Sequence, residues 1–149
     1  MLKNVLIELY DRDLGRLKTE IEQYSDDADF WKVRGDIMNS GGNLTLHLIG
    51  NLKHFIGAVL GNSGFVRDRD TEFSTSNVSR EDMLAEIDAT AAVLKSTLEK
   101  LREEDFALLY PIEVFGHPMT TEFFVVHLAT HLNYHLGQIN YHRRLLAAN

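Results

Sequence analysis

Cysteine is absent from the 149 residues, which excludes disulfides, thiolate-ligated metals and a protein thiol nucleophile together. Any metal bound by this chain must rest on His, Asp or Glu. Basic residues are also in short supply. The 15 Lys and Arg stand against 22 Asp and Glu, a formal net charge of -7, and they form no long cationic run. Nucleic acid and anionic membrane surfaces are therefore not the expected partners. Long apolar runs are missing as well: residues 1–7 are followed by Glu8, Asp11 and Arg12, so neither a signal peptide nor a membrane span can be built there. A cytoplasmic location is the expectation. The only two prolines, Pro111 and Pro118, fall in one stretch and mark a connection.

Several site types are missing too. No histidine is preceded three positions earlier by Glu, which rules out the di-iron carboxylate pattern, and no His-Glu-x-x-His run supplies a metalloprotease helix. Neither a P-loop nor a dinucleotide glycine fingerprint occurs; Gly41-Gly42 opens a helix but follows no strand.

What is present reads as a single soluble domain over residues 1–149, with 44% hydrophobic and 25% charged residues. Leu2, Leu6, Leu9, Tyr10, Leu14, Leu17, Ile21 and Tyr24 recur at helical spacing and predict a first amphipathic helix. Residues 25–40 have no sustained period and read as a long connection in which Trp31 plugs a bundle end. Residues 40–43 offer capping chemistry for a second helix carried by Leu44, Leu48, Leu52, Phe55, Ile56 and Val59 and closed by Gly61 and Gly64. Residues 65–76 read as a loop or weak hairpin without chemistry. Ser79 and Asp82 cap a third helix with the stripe Met83, Leu84, Ile87, Ala91, Leu94, Leu98 and Leu101. Residues 105–118 read as an irregular loop or short extended pair. Thr120 or Thr121 caps a fourth helix running to about Leu146. The prediction is an all-α fold, a four-helix bundle with long connections.

Seven histidines occur, and His127, His131 and His135 form a ladder four residues apart on the last helix. Spacing of four puts them on one face within an arc of about 80°, with His142 inside the same arc. One such pair arises by chance about 0.3 times in a chain of this composition, the double ladder about 0.015 times, so the ladder is the informative feature. Neighbours at i and i+4 have Cβ atoms about 5–6 Å apart, close enough for two imidazoles to converge on one ion. A third ligand must come from another helix. His47, set among Leu44, Leu46, Leu48 and Ile49, is the best candidate, because an unpaired imidazole in such an apolar stretch is costly. His54 and His117 read as ordinary edge and loop residues; His127 and His142 lie on the ladder face one turn or more from the favoured pair, so that the sequence leaves open whether either supports the ligands.

These residues carry a resemblance. The segment Leu46-His47-Leu48-Ile49-Gly50-Asn51-Leu52, preceded by Asn39-Ser40, together with the run from His127 through His131 and His135 to Gln138 and Ile139, is similar to the DinB-like (damage-inducible, YfiT-like) superfamily of metal-binding four-helix bundles. The form His-Leu-x-Gly-Asn-Leu resembles a subgroup of that superfamily without an assigned function. The resemblance spans the whole bundle and implies a divalent metal ion, zinc or nickel, on His47, His131 and His135. It also implies a homodimer, a small-molecule substrate, and a thiol-dependent S-transferase or hydrolase-like activity using a low-molecular-weight thiol. Leu136 departs from the arginine or similar polar residue that often follows the last histidine in the family. Asn51 and Gln138 are candidate contacts to a ligand or to the metal-bound histidines. The alternative is a non-catalytic module, a stress-response or small-molecule binding protein fastened by its metal.

Overall fold

Leu6, Tyr10, Leu14, Leu17 and Ile21 return every three or four residues along helix α1 (Leu2–Gln23) and are all buried, so this stripe drives the helix into the bundle. Each fully buried large apolar side chain contributes roughly 1.5–3 kcal/mol to that docking. The backbone turns extended at Tyr24 and passes through a short 3-10 turn, Asp27–Trp31, before helix α2. Phe30 of that turn is fully buried, whereas Trp31 is half-buried with its ring over Gly42. The computed structural model describes residues 1–146.

Helix α2 (Gly41–Leu52) begins on Ser40, whose hydroxyl accepts from Asn43 N at 3.1 Å. It continues into a wider π-helical stretch, Lys53–Leu60, where the Gly61 N–H reaches back five residues to the Ile56 carbonyl at 3.0 Å. Helix α3 (Arg69–Ser74) is capped by Asp68. Helix α4 (Arg80–Lys100) is capped by Ser79, which accepts from Asp82 N at 3.1 Å. A 3-10 turn, Glu103–Ala107, and a single antiparallel bridge between Leu109 and Thr120 lead into helix α5 (Thr121–Leu146). The Thr120 hydroxyl accepts from Phe123 N at 3.1 Å at its start.

Cross-helix contacts fix the directions. Tyr10 reaches the Val125 carbonyl, Asp13 accepts from Asn133 and Glu20 from Asn140, so α1 and α5 run parallel. Lys3 reaches the Leu101 carbonyl while Lys18 pairs with Asp88, so α4 opposes α1. Gly41 lies by His142 and Phe55 by Phe124, so α2 opposes α5. Lys53 pairs with Glu86 and Gly57 packs on Val93, so α2 and α4 run the same way. The order around the bundle is α1, α4, α2, α5, and one core cluster draws on all four helices.

This all-helical bundle of four long helices matches the prediction; among the described residues no strand forms beyond the one bridge. Residues 65–76 require a correction, since residues 69–74 are helical. Parallel neighbours α2 and α4 cannot be joined by a tight turn, so residues 61–79 must travel back along the bundle, and α3 lies on that return path. No helix of the described residues is long and apolar enough to cross a membrane.

Candidate metal centre

His47 enters the site from α2 between Leu44 and Leu48, both buried, and is itself only 7% exposed. His131 and His135 face it from α5, held by the buried Leu128, Leu132 and Leu136 of the same helix. Leu136 is thus a core residue. The three Nε2 atoms converge: His131 lies 3.3 Å from His47 and 3.1 Å from His135. One ligand atom from each of the three rings lies within 4.8 Å of the others, close enough for the three to hold a single metal ion.

Hydrogen bonds at the opposite ring nitrogens set the tautomers. The Glu72 carboxylate accepts from His47 Nδ1 at 3.0 Å, and the Gln138 amide oxygen accepts from His135 Nδ1 at 2.6 Å. With both Nδ1 atoms protonated, both Nε2 atoms present lone pairs to the centre. Arg67 Nη2 also lies 3.3 Å from His47 Nδ1, but a guanidinium only donates, so the Nδ1 proton belongs to Glu72. His131 Nε2 faces two bare nitrogens and can donate a proton to only one of them. A cation satisfies all three. Two nitrogens bound to one tetrahedral ion by bonds of about 2.0–2.1 Å stand about 3.3 Å apart, which matches the observed separations. The donor set therefore fits a divalent metal.

Electrostatics agree. Burial pushes the His131 pKa down to about 4, and His135, His47, His127 and Arg67 add to the effect. Burial also lowers the His47 pKa, opposed by Glu72, while His135 and Arg67 lower it further. Both rings stay neutral and available as ligands near neutral pH.

The other predicted residues sort clearly. Gln138 sits on His135 through the bond above. Asn51 is buried one turn beyond His47, and its Oδ1, like His131 Nδ1, has no hydrogen-bond partner among the described residues. His127 stacks at 6.5 Å from His131, against Phe115 and Phe124. His142 does not support the ligands: its Nε2 donates to the Lys32 carbonyl and its Nδ1 accepts from the Tyr24 hydroxyl, both at 2.7 Å, so it ties α5 to the α1–α2 connection. His54 sits edge-on to Phe55, and exposed His117 lies against its neighbouring Pro118 carbonyl.

Sequence reasoning missed Glu72, Arg67 and Phe73. The Glu72 carboxylate receives Arg67 Nε at 2.8 Å and Nη2 at 2.9 Å as well as His47, and the Phe73 ring lies 4.9 Å from the His47 ring. Gly50 makes room for this: a Cβ there would fall 1.9 Å from Glu72 Oε2. The one sequence signal was the glycine three residues after His47 on a buried helix face, where only a close neighbour explains the missing side chain.

A groove of about 530 Å³ opens beside His135, lined by Met38, Leu44, Tyr134, His135, Gln138 and Tyr141 among others. A second groove of about 570 Å³, between α1 and α5, is lined by Val5, Leu9, Val126 and Tyr134 among others and does not include the three histidines.

An all-helical bundle carrying three convergent histidines from two antiparallel helices defines the class of this molecule. The family described as "Protein of unknown function (DUF1572)" matches residues 5–149, and the chain belongs to it. The crystal structure of a conserved protein from Enterococcus faecalis shares the fold, with a TM-score of 0.80 at 19% identity over 100% of this chain and 99% of that one. No curated protein matches the chain.

Proposed function

We propose that this chain is a metal-dependent enzyme of the DinB-like type, a thiol-dependent S-transferase or hydrolase-like protein with zinc or nickel on His47, His131 and His135. The supporting observation is the convergence of three Nε2 atoms, at 3.3 and 3.1 Å from His131 to its two neighbours, with the far nitrogens of His47 and His135 occupied by Glu72 and Gln138. A divalent ion on three protein ligands leaves a position for water or a thiol and lowers its pKa toward neutrality. His131 stays unprotonated well into the acid range and so keeps its lone pair for the centre.

The groove beside His135 suits a small, largely apolar substrate, with Met38, Leu44, Tyr134 and Tyr141 covering its body. Gln138 holds His135 with its oxygen and keeps its amide N–H groups for a ligand. Asn51 keeps a buried acceptor oxygen next to His47. With no cysteine in the chain, the thiol is a separate small molecule. The α1–α5 groove, with Val5, Val126 and Tyr134 exposed, is the face we assign to a homodimer.

A non-catalytic module is favoured by one observation, that the ligands join α2 to α5 and an ion there would fasten the two helices. The open coordination position separates the readings: a fastening metal carries no exchangeable water, whereas a catalytic one keeps a position that water or a thiol exchanges into. The test of the metal site itself is elemental analysis of tag-free protein. About one equivalent of metal in the wild type and its loss in His131→Ala support the assignment. Substoichiometric metal in the wild type, or unchanged content in the variant, refutes it.

A further inference from the structure

We propose that Glu72 is the positioning residue of the metal centre, and that through it the docking of helix α3 is coupled to metal binding. The inference rests on reading the three histidines as a metal site.

Helix α3 has little else to hold it. Glu72 is its one buried residue. Both of its carboxylate oxygens are engaged: Oε1 accepts from His47 Nδ1 at 3.0 Å and Arg67 Nη2 at 2.9 Å, and Oε2 accepts from Arg67 Nε at 2.8 Å. The paired Arg67 guanidinium offsets the cost of burying this carboxylate. Gly50 clears the space on α2 into which the carboxylate fits. Phe73, the next residue, adds its ring to the same imidazole. Beyond the histidine, Asn43 Nδ2 donates to the carbonyls of Glu72 and Thr75 at 3.0 and 2.7 Å, tying the end of α3 to the start of α2. Two of the side-chain contacts that seat α3 therefore land on one ring, that of His47.

That arrangement has two effects. The carboxylate fixes His47 in the tautomer whose Nε2 is bare and holds the ring in the plane that aims it at His131, which prepares the site before any ion arrives. An ion on Nε2 draws electron density from the ring and strengthens the Nδ1–H bond to Glu72. By thermodynamic reciprocity, an ion that tightens the seating of α3 is itself bound more tightly by a protein with α3 seated. Residues 65–75 thus report on occupancy of a site to which they contribute no ligand.

The test uses the tag-free full chain stripped of metal. Zn(II) is titrated calorimetrically into wild type, Glu72→Ala and Glu72→Gln, and amide exchange of residues 65–75 is followed with and without Zn(II). Removal of the carboxylate is expected to weaken Zn(II) binding about 10–100-fold. Glu72→Gln, whose amide oxygen still accepts from Nδ1–H, is expected to lose less. Zn(II) is expected to slow exchange in residues 69–75 of the wild type and to leave it unchanged in Glu72→Ala. Circular dichroism identifies variants that keep the fold; if Glu72→Ala does not, Glu72→Gln and the wild-type exchange experiment decide. Wild-type affinity in a folded Glu72→Ala, or exchange in α3 that ignores Zn(II) in the wild type, overturns the inference while leaving the metal site intact. A wild type that takes up no Zn(II) overturns both.

Discussion

The rings of His47 and His135 stand perpendicular at 87° with centroids 5.4 Å apart, one from α2 and the other from α5. That distance places both within reach of one ion, with His131 between them at 5.1 and 4.5 Å. Each outer ring is steered from behind by a different residue, Glu72 for His47 and Gln138 for His135.

Metal binding to the folded state alone must stabilise it. At free Zn(II) about 100 times Kd the gain is about 2.7 kcal/mol, read as a rise in melting temperature that chelator reverses. His131→Ala should show no such rise. An equal rise in that variant means the ion sits elsewhere.

Gly50→Ala puts a methyl group into the space of the Glu72 carboxylate. Overpacking of this kind costs about 1–3 kcal/mol, and the carboxylate that must shift is the one holding His47. Both urea stability and Zn(II) affinity should fall in this variant. Stability that falls with affinity untouched would separate Gly50 from the metal centre.

His142 tests the packing at the other end of the bundle. Tyr24→Phe removes the hydroxyl that donates to His142 Nδ1 and leaves that buried nitrogen without its partner, at a cost of about 1–3 kcal/mol in equilibrium unfolding. Zn(II) binding should be unaffected, because His142 bonds to the Tyr24 hydroxyl and the Lys32 carbonyl and packs on the Tyr24 ring, away from the three ligands. A large loss of metal affinity would return His142 to the site.

Acid should weaken the metal-free protein. Burial lowers the pKa of His47, His131 and His142, His131 to about 4. The unfolded chain, with imidazoles titrating near about 6.5, takes up protons before the folded one does. Stability contributed by the neutral rings is therefore complete above about pH 6.5 and is lost as pH falls toward about 4. Urea midpoints of metal-free protein at pH 7 and pH 5 check this; equal midpoints would contradict it.

The bundle was legible because its stripes are local. Leu6 to Ile21 and Met83 to Leu98 repeat at helical spacing, and Ser40, Ser79 and Thr120 cap the helices that follow them. The histidine pair on α5 was legible for the same reason, and His47 through its apolar setting. The drift of about 40° per four-residue step shows why the ladder does not act as a unit. His131 and His135 face His47, whereas His127 turns toward Phe115 and Phe124. Helix α3 was not legible, since six residues with a single apolar side chain, Phe73, carry no apolar period. Glu72 reaches His47 through the return path from α2 to α4, a consequence of two helices running parallel. The π-helical stretch was hidden too; its Gly57 and the Gly61 that closes it lie against Val93 and Thr97, contacts made across the bundle.

X-ray absorption at the zinc edge of the Zn(II)-loaded, tag-free protein bears most directly on the three-histidine centre. Expected is a first shell containing three imidazole nitrogens at about 2.0–2.1 Å, reduced in His131→Ala. A shell with one imidazole or none, or one unchanged by the substitution, would contradict it.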